Sequence, residues 1–131
     1  MANKEIILAI DDDPAVLQFM KVVCHHAAYE FHGADSGANG LELLKQLKPT
    51  AILLDVNMPE MDGLETLNQI KSEFPKLSAP IIFLSAKTDL ATISEATSWG
   101  STDLLKPINP ERLLAKIEAV IHDNRAKKVL S

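Results

Sequence analysis

The sequence predicts an α/β fold in which five parallel strands form a doubly wound sheet with helices on both faces. Three observations carry this. Short apolar runs alternate with helix-periodic segments along the whole 131 residues. Three of those runs, Ile6-Ile7-Leu8-Ala9-Ile10, Ala51-Ile52-Leu53-Leu54 and Ile81-Ile82-Phe83-Leu84, are almost wholly apolar. Strands of that kind need cover on both faces, as inner strands of a parallel sheet do. The alternation of strand and helix implies right-handed crossovers, which put helices on both sides of one sheet.

Taken in order, strands are expected at Glu5–Ile10, Tyr29–Ala34, Ala51–Leu54, Ile81–Leu84 and Asp103–Leu105. Tyr29–Ala34 alternates, with Glu30 and His32 on one face, and suits a sheet edge. The fifth run is short and weakly marked. Between the strands, Val16, Met20, Val23 and Ala27 share a helical face, with Leu17 and Cys24 beside them. Leu41, Leu44 and Leu47 repeat the pattern, as do Leu64, Leu67, Ile70 and Phe74, and then Leu113, Ile117, Val120 and Ile121. Asp13-Pro14 and Asn109-Pro110 each place a capping side chain before a proline at the first helical position. Leu90–Trp99 is the weakest helix, because Ser94, Thr97 and Ser98 dilute its apolar stripe. Five such units use the whole chain, so the reading is one domain over 1–123 with a short tail at 124–131, taken as the solvated end of the last helix or the start of a linker.

The composition, 47% apolar and 24% charged, supplies a real core. A single cysteine, Cys24, excludes an internal disulfide and suits a reducing, cytoplasmic setting; it reads as a small buried hydrophobe. No apolar run approaches the roughly 18 residues of a membrane span, and the first residues do not read as a signal peptide. With 13 basic and 18 acidic side chains the net charge is −5, a poor basis for direct nucleic-acid binding. His25 and His26 are adjacent on a helix and point about 100° apart, so they do not form a metal site together.

Ligands of such sheets sit beyond the carboxyl ends of the strands. Those ends carry Asp11-Asp12-Asp13, Asp55, Ser85 and Lys106-Pro107. In the strand order 2-1-3-4-5, the flavodoxin-like order, the first and third strands are neighbours. Asp11, Asp12 and Asp55 then converge, and their mutual repulsion is resolved by a hard divalent cation such as Mg²⁺. Asp13 reads as the helix cap. A carboxylate beside a bound cation can attack phosphorus, and donors aimed at the transferring oxygens would assist it. Lys106 offers a cation and Ser85 a hydroxyl.

These residues resemble a bacterial-type response-regulator receiver domain of two-component signalling, of the single-domain chemotaxis-regulator kind. The resemblance runs roughly from Lys4 to His122. It rests on Ile-Asp11-Asp12-Asp13-Pro14, on Leu-Leu-Asp55-Val-Asn-Met58-Pro59-Glu-Met-Asp-Gly63, on Leu-Ser85-Ala86-Lys87 and on Leu-Lys106-Pro107. It implies that Asp55 is the phosphoacceptor, Asp12 a direct Mg²⁺ ligand, Asp11 a ligand mainly through water and the backbone carbonyl of Asn57 the third protein ligand. It implies that Ser85 and Lys106 face the phosphoryl group, that the Lys106–Pro107 bond is cis, and that Asn57 and Lys87 tune phosphoryl lifetime. Met58-Pro59 and Gly63 would shape the loop into the third helix. The implied donor is a histidine kinase or histidine phosphotransfer protein, and the implied output is a switched surface for a downstream protein. A phosphorylation-linked dimer stays open. No separate enzymatic turnover is expected.

One position departs from the family pattern. An aromatic usually stands three residues before the conserved lysine; here that position is Asp103. Leu104 is the available packing residue, Trp99 is expected to pack on or cap the Leu90–Trp99 helix, and that helix is the expected mobile element. The main alternative is a degenerate receiver that binds partners independently of phosphorylation, against which Asp55, Ser85, Lys106 and the acid cluster all stand. An aspartyl phosphatase would carry its nucleophile after the first strand and add a cap. A flavin carrier would need a hydroxyl- and glycine-rich phosphate loop where Asp11-Asp12-Asp13-Pro14 stands.

Overall fold

The computed structural model describes residues 4–56, 63–85 and 102–130. Strands β1 (Ile6–Ile10), β2 (Glu30–Ala34), β3 (Ala51–Asp55), β4 (Ile81–Ser85) and β5 (Thr102–Leu105) form one sheet in the order β2-β1-β3-β4-β5. Every pairing is parallel. The expected fold class and strand order are therefore those observed, with strand ends shifted by a residue at most. The helices are α1 (Pro14–His26), α2 (Gly37–Leu44), α3 (Gly63–Glu73) and a long C-terminal helix (Pro110–Leu130). The helix expected over Leu90–Trp99 lies outside the described residues.

The period of two along each strand sorts the core into two layers. One layer takes Leu8, Ile10, Ile52, Leu54, Ile81 and Phe83 from the sheet and meets Leu41 and Leu44 of α2 with Leu67 and Ile70 of α3. The other takes Ile7, Ala9, Leu53, Ile82 and Leu84 and meets Met20, Val23 and Cys24 of α1 with Leu113, Ile117 and Ile121 of the C-terminal helix. All five residues of β3 and of β4 are buried, as continuous apolar runs require. β2, by contrast, keeps Glu30 and Gly33 exposed and has a neighbour on one side only.

Start signals act as their chemistry dictates. Asp13 caps α1 through a carboxylate that accepts from the Ala15 N–H at 2.9 Å, with Pro14 following. Ser36 caps α2 through the Asn39 N–H at 3.1 Å. Asn109 accepts from Glu111 N at 2.8 Å and caps the C-terminal helix ahead of Pro110. That helix runs on through the residues read as a tail, and Arg125 forms an ion pair with Glu5 at the start of the chain's first strand run. None of the described helices is long and apolar enough to cross a membrane.

Candidate functional site

Parallel register brings the site together. Ile10 is level with Leu54, so the next residues, Asp11 and Asp55, stand side by side beyond β1 and at the end of β3. Asp55 is level with Leu84, which sets Ser85 one step further on. Ser85 is level with Leu105, and the Lys106 N–H donates to the Ser85 carbonyl at 2.7 Å. The Val56 N–H likewise donates to the Leu84 carbonyl at 3.1 Å. Four adjacent strand ends thus present two acids, a hydroxyl and an amine to one pocket.

Asp11 and Asp55 are buried, at 0% and 2% exposure, while Asp12 is exposed at the mouth. One carboxylate oxygen from each of Asp11, Asp12 and Asp55 lies within 4.8 Å of the others. Asp11 is held at both oxygens. Its Oδ1 accepts the Asp13 N–H at 2.9 Å, and its Oδ2 meets Lys106 Nζ at 3.1 Å. The same ammonium reaches Asp55 Oδ2 at 3.5 Å. Burial pulls the Lys106 ammonium toward neutrality, but Asp11 and Asp55 outweigh it and raise its pKa above the usual lysine value. Lys106 is therefore charged throughout the neutral range. Ser85 is buried at 1%, and its Oγ has no hydrogen-bond partner among the described residues, which leaves a donor available to a bound oxyanion.

Three carboxylates face one ammonium, so the pocket keeps excess negative charge in a partly dry setting. The residues fit a hard divalent cation: oxygen donors, close convergence, and one exposed acid at the entrance. Among the described residues this is the single group of three or more acidic, histidine or cysteine side chains spaced to hold a metal. His25 and His26 are exposed at the last turn of α1.

The expected residues Asp11, Asp12, Asp55, Ser85 and Lys106 thus meet at one end of the sheet. Asn57, Met58, Pro59 and Lys87 lie outside the described residues. The peptide bond before Pro107 is cis, as the resemblance implied. Leu104 is buried against the layer containing Leu84, and Leu105 is 40% exposed. Cys24 is fully buried, and burial pushes its thiol up to about 11. Sequence reasoning did not foresee that the Asp13 backbone orients Asp11; an Asx-type contact two residues apart was the signal for it.

Fold and pocket define a class: a doubly wound α/β module with a buried carboxylate site at the carboxyl edge of its sheet. The family model of the response regulator receiver domain matches residues 7–118, and the chain belongs to that family, the receiver domains of two-component response regulators. It is 30% identical over 122 residues to the transcriptional regulatory protein KdpE of Mycobacterium tuberculosis, a match covering 92% of this chain and 53% of that protein. It is 35% identical over 123 residues to the transcriptional regulatory protein CrdR of Helicobacter pylori, covering 93% and 57%. The chain thus spans about half the length of the curated relatives it matches. Among solved structures, the chemotaxis protein CheY4 of Vibrio cholerae superposes with a TM-score of 0.80 at 30% identity, over 90% of this chain and 99% of that one.

Proposed function

We propose that this receiver accepts a phosphoryl group on Asp55 and uses the change to alter a protein-binding surface. The observation that carries the reading is the convergence of Asp11, Asp12 and Asp55 within 4.8 Å, with the Lys106 ammonium 3.5 Å from Asp55. Asp55 is the buried acid at the end of the central strand, and family membership supports its role as acceptor. Asp11, Asp12 and Asp55, with the backbone carbonyl of Asn57, are the groups that would hold Mg²⁺. When bound, the ion offsets charge on the pocket acids and on the transferring oxygens.

In the transfer, an Asp55 carboxylate oxygen forms a bond to phosphorus while the bond to the donor's imidazole nitrogen breaks. A mixed anhydride remains on Asp55, and the donor's imidazole, already protonated at its other ring nitrogen, keeps the electron pair of the broken bond and leaves neutral on a histidine kinase or histidine phosphotransfer protein. Lys106 moves its charge from Asp55 to the incoming phosphoryl oxygens. The Ser85 hydroxyl, buried and without a partner among the described residues, donates to one of them. That new bond at the end of β4 is the local event through which the surface changes. No turnover of a separate substrate belongs to this reading. Because the matched relatives are about twice as long, the downstream partner is read only as a protein surface.

Intact mass after incubation with a small-molecule phosphodonor tests this. Wild type should gain one phosphoryl group in Mg²⁺ and none without it, and Asp55→Asn should gain none. A folded, Mg²⁺-binding wild type that stays unmodified would instead identify a degenerate receiver that acts by partner binding alone.

A further inference from the structure

Residue Asp13 is fixed at three points. Its N–H donates to Asp11 Oδ1 at 2.9 Å. Its carbonyl accepts the Leu17 N–H at 3.1 Å, the first turn of α1. Its side-chain Oδ1 accepts the Ala15 N–H at 2.9 Å, closing the cap. The extended capping geometry (φ −90°, ψ 111°) joins the peptide unit that carries this N–H to the first turn of α1. Asp11 is fully buried, and its two oxygens are divided between this N–H and Lys106. With that donor misplaced, Oδ1 loses its hydrogen bond, and the Lys106 ion pair at Oδ2 alone leaves the carboxylate free to turn about that contact.

We infer that Asp13 is a positioning residue for the acidic pocket: by capping α1 it orients the Asp11 carboxylate, and so sets the affinity of the pocket for a divalent cation. The inference rests on the cation-binding reading above. Asp13 is exposed, and nothing in its role requires it to touch the ion. What it contributes is the direction of a backbone dipole, which is a property of the cap and not of its charge. Asparagine and serine cap as well as aspartate does, whereas alanine does not. All three replacements remove the same charge, so the cap and the charge separate cleanly.

The experiment is calorimetric titration of Mg²⁺ alone into wild type, Asp13→Asn, Asp13→Ser and Asp13→Ala, each shown to be folded by circular dichroism. Asn and Ser should bind alike, weakened only by the lost charge. Ala should bind about fivefold more weakly than either, the order of effect that losing an N-cap represents. If Ala, Asn and Ser share one affinity, the inference is overturned, whether or not that affinity differs from wild type. If Ala is less heat-stable but binds Mg²⁺ like Asn, the cap serves the helix alone and the inference is again overturned. Failure of wild type itself to bind Mg²⁺ would overturn the cation-binding reading beneath it, a different and recognisable result.

Discussion

Ala28 shows how a single backbone angle costs stability. Helix α1 ends with the Tyr29 N–H bonded to the Cys24 carbonyl at 3.0 Å and the Ala28 N–H bonded to the His25 carbonyl at 3.0 Å. That is the Schellman pattern, and it forces the residue after the C-cap into the left-handed region, where Ala28 sits at φ 65°. A side chain is disfavoured there by roughly 1–2 kcal/mol, which glycine avoids at some cost in unfolded-chain entropy. Ala28→Gly is therefore expected to stabilise the domain by about 0.5–1 kcal/mol, read as a higher urea midpoint at unchanged slope. The Cys24 reading as a buried hydrophobe holds for the same packed helix: desolvation suppresses its thiolate.

At the scale of elements, α2 presses on β1 more closely than its sequence suggests. Gly40 lies inside α2, where glycine costs roughly 1 kcal/mol relative to alanine. Its presence there has a packing reason. A Cβ at Gly40 would stand 2.4 Å from Ile10 Cδ1 and 2.8 Å from Ile10 Cγ1. Ile10 is fully buried and stiff at χ1, so neither partner yields easily. Gly40→Ala should destabilise by about 1–3 kcal/mol despite its better helix propensity. Because Ile10 directly precedes Asp11, the pair Gly40→Ala with Ile10→Val should recover part of the loss, and a double-mutant cycle measures it. The capped starts at Asp13 and Asn109 follow from the sequence, where each cap stands before a proline; the Ser36 cap of α2 came from the structure. The Leu90–Trp99 helix, with its diluted stripe, lies outside the described residues, so its expected mobility is a proposal for exchange measurements on the phosphorylated and free protein.

Across the whole molecule, Lys106 ties the end of β5 to acids at the ends of β1 and β3, residues 95 and 51 positions away in the chain. Its removal leaves the buried Asp11 carboxylate without its cation. Lys106→Met should cost about 1–3 kcal/mol at neutral pH, the usual cost of leaving a buried polar group without its partner. The pH dependence has a definite sign. The folded-state pKa of Lys106 lies above its unfolded value, so its contribution is complete below the ordinary lysine pKa and is lost as pH rises through the folded one. Urea unfolding of both proteins from pH 7 to 11 should show a constant gap that narrows only in the alkaline part. A gap that closes at neutral pH would refute the ion-pair account.

The sequence by itself determined the parallel sheet, because apolar runs buried on both faces admit few other arrangements, and it determined which residues end the strands. Its motifs were also enough to suggest the family and the set Asp11, Asp12, Asp55, Ser85 and Lys106. Tertiary structure alone decided how those side chains divide the work. Register along three strand pairs sets which acids touch; burial separates the enclosed Asp11 and Asp55 from the exposed Asp12. The sharing of Lys106 between two carboxylates, the hold of Asp13 on Asp11 and the squeeze of Gly40 on Ile10 are contacts of a few ångströms made by side chains. A sequence records residue types and their order, which fix hydrophobic period and capping chemistry. It does not record the separation between elements brought together by packing, and the electrostatics of the pocket depend on that separation.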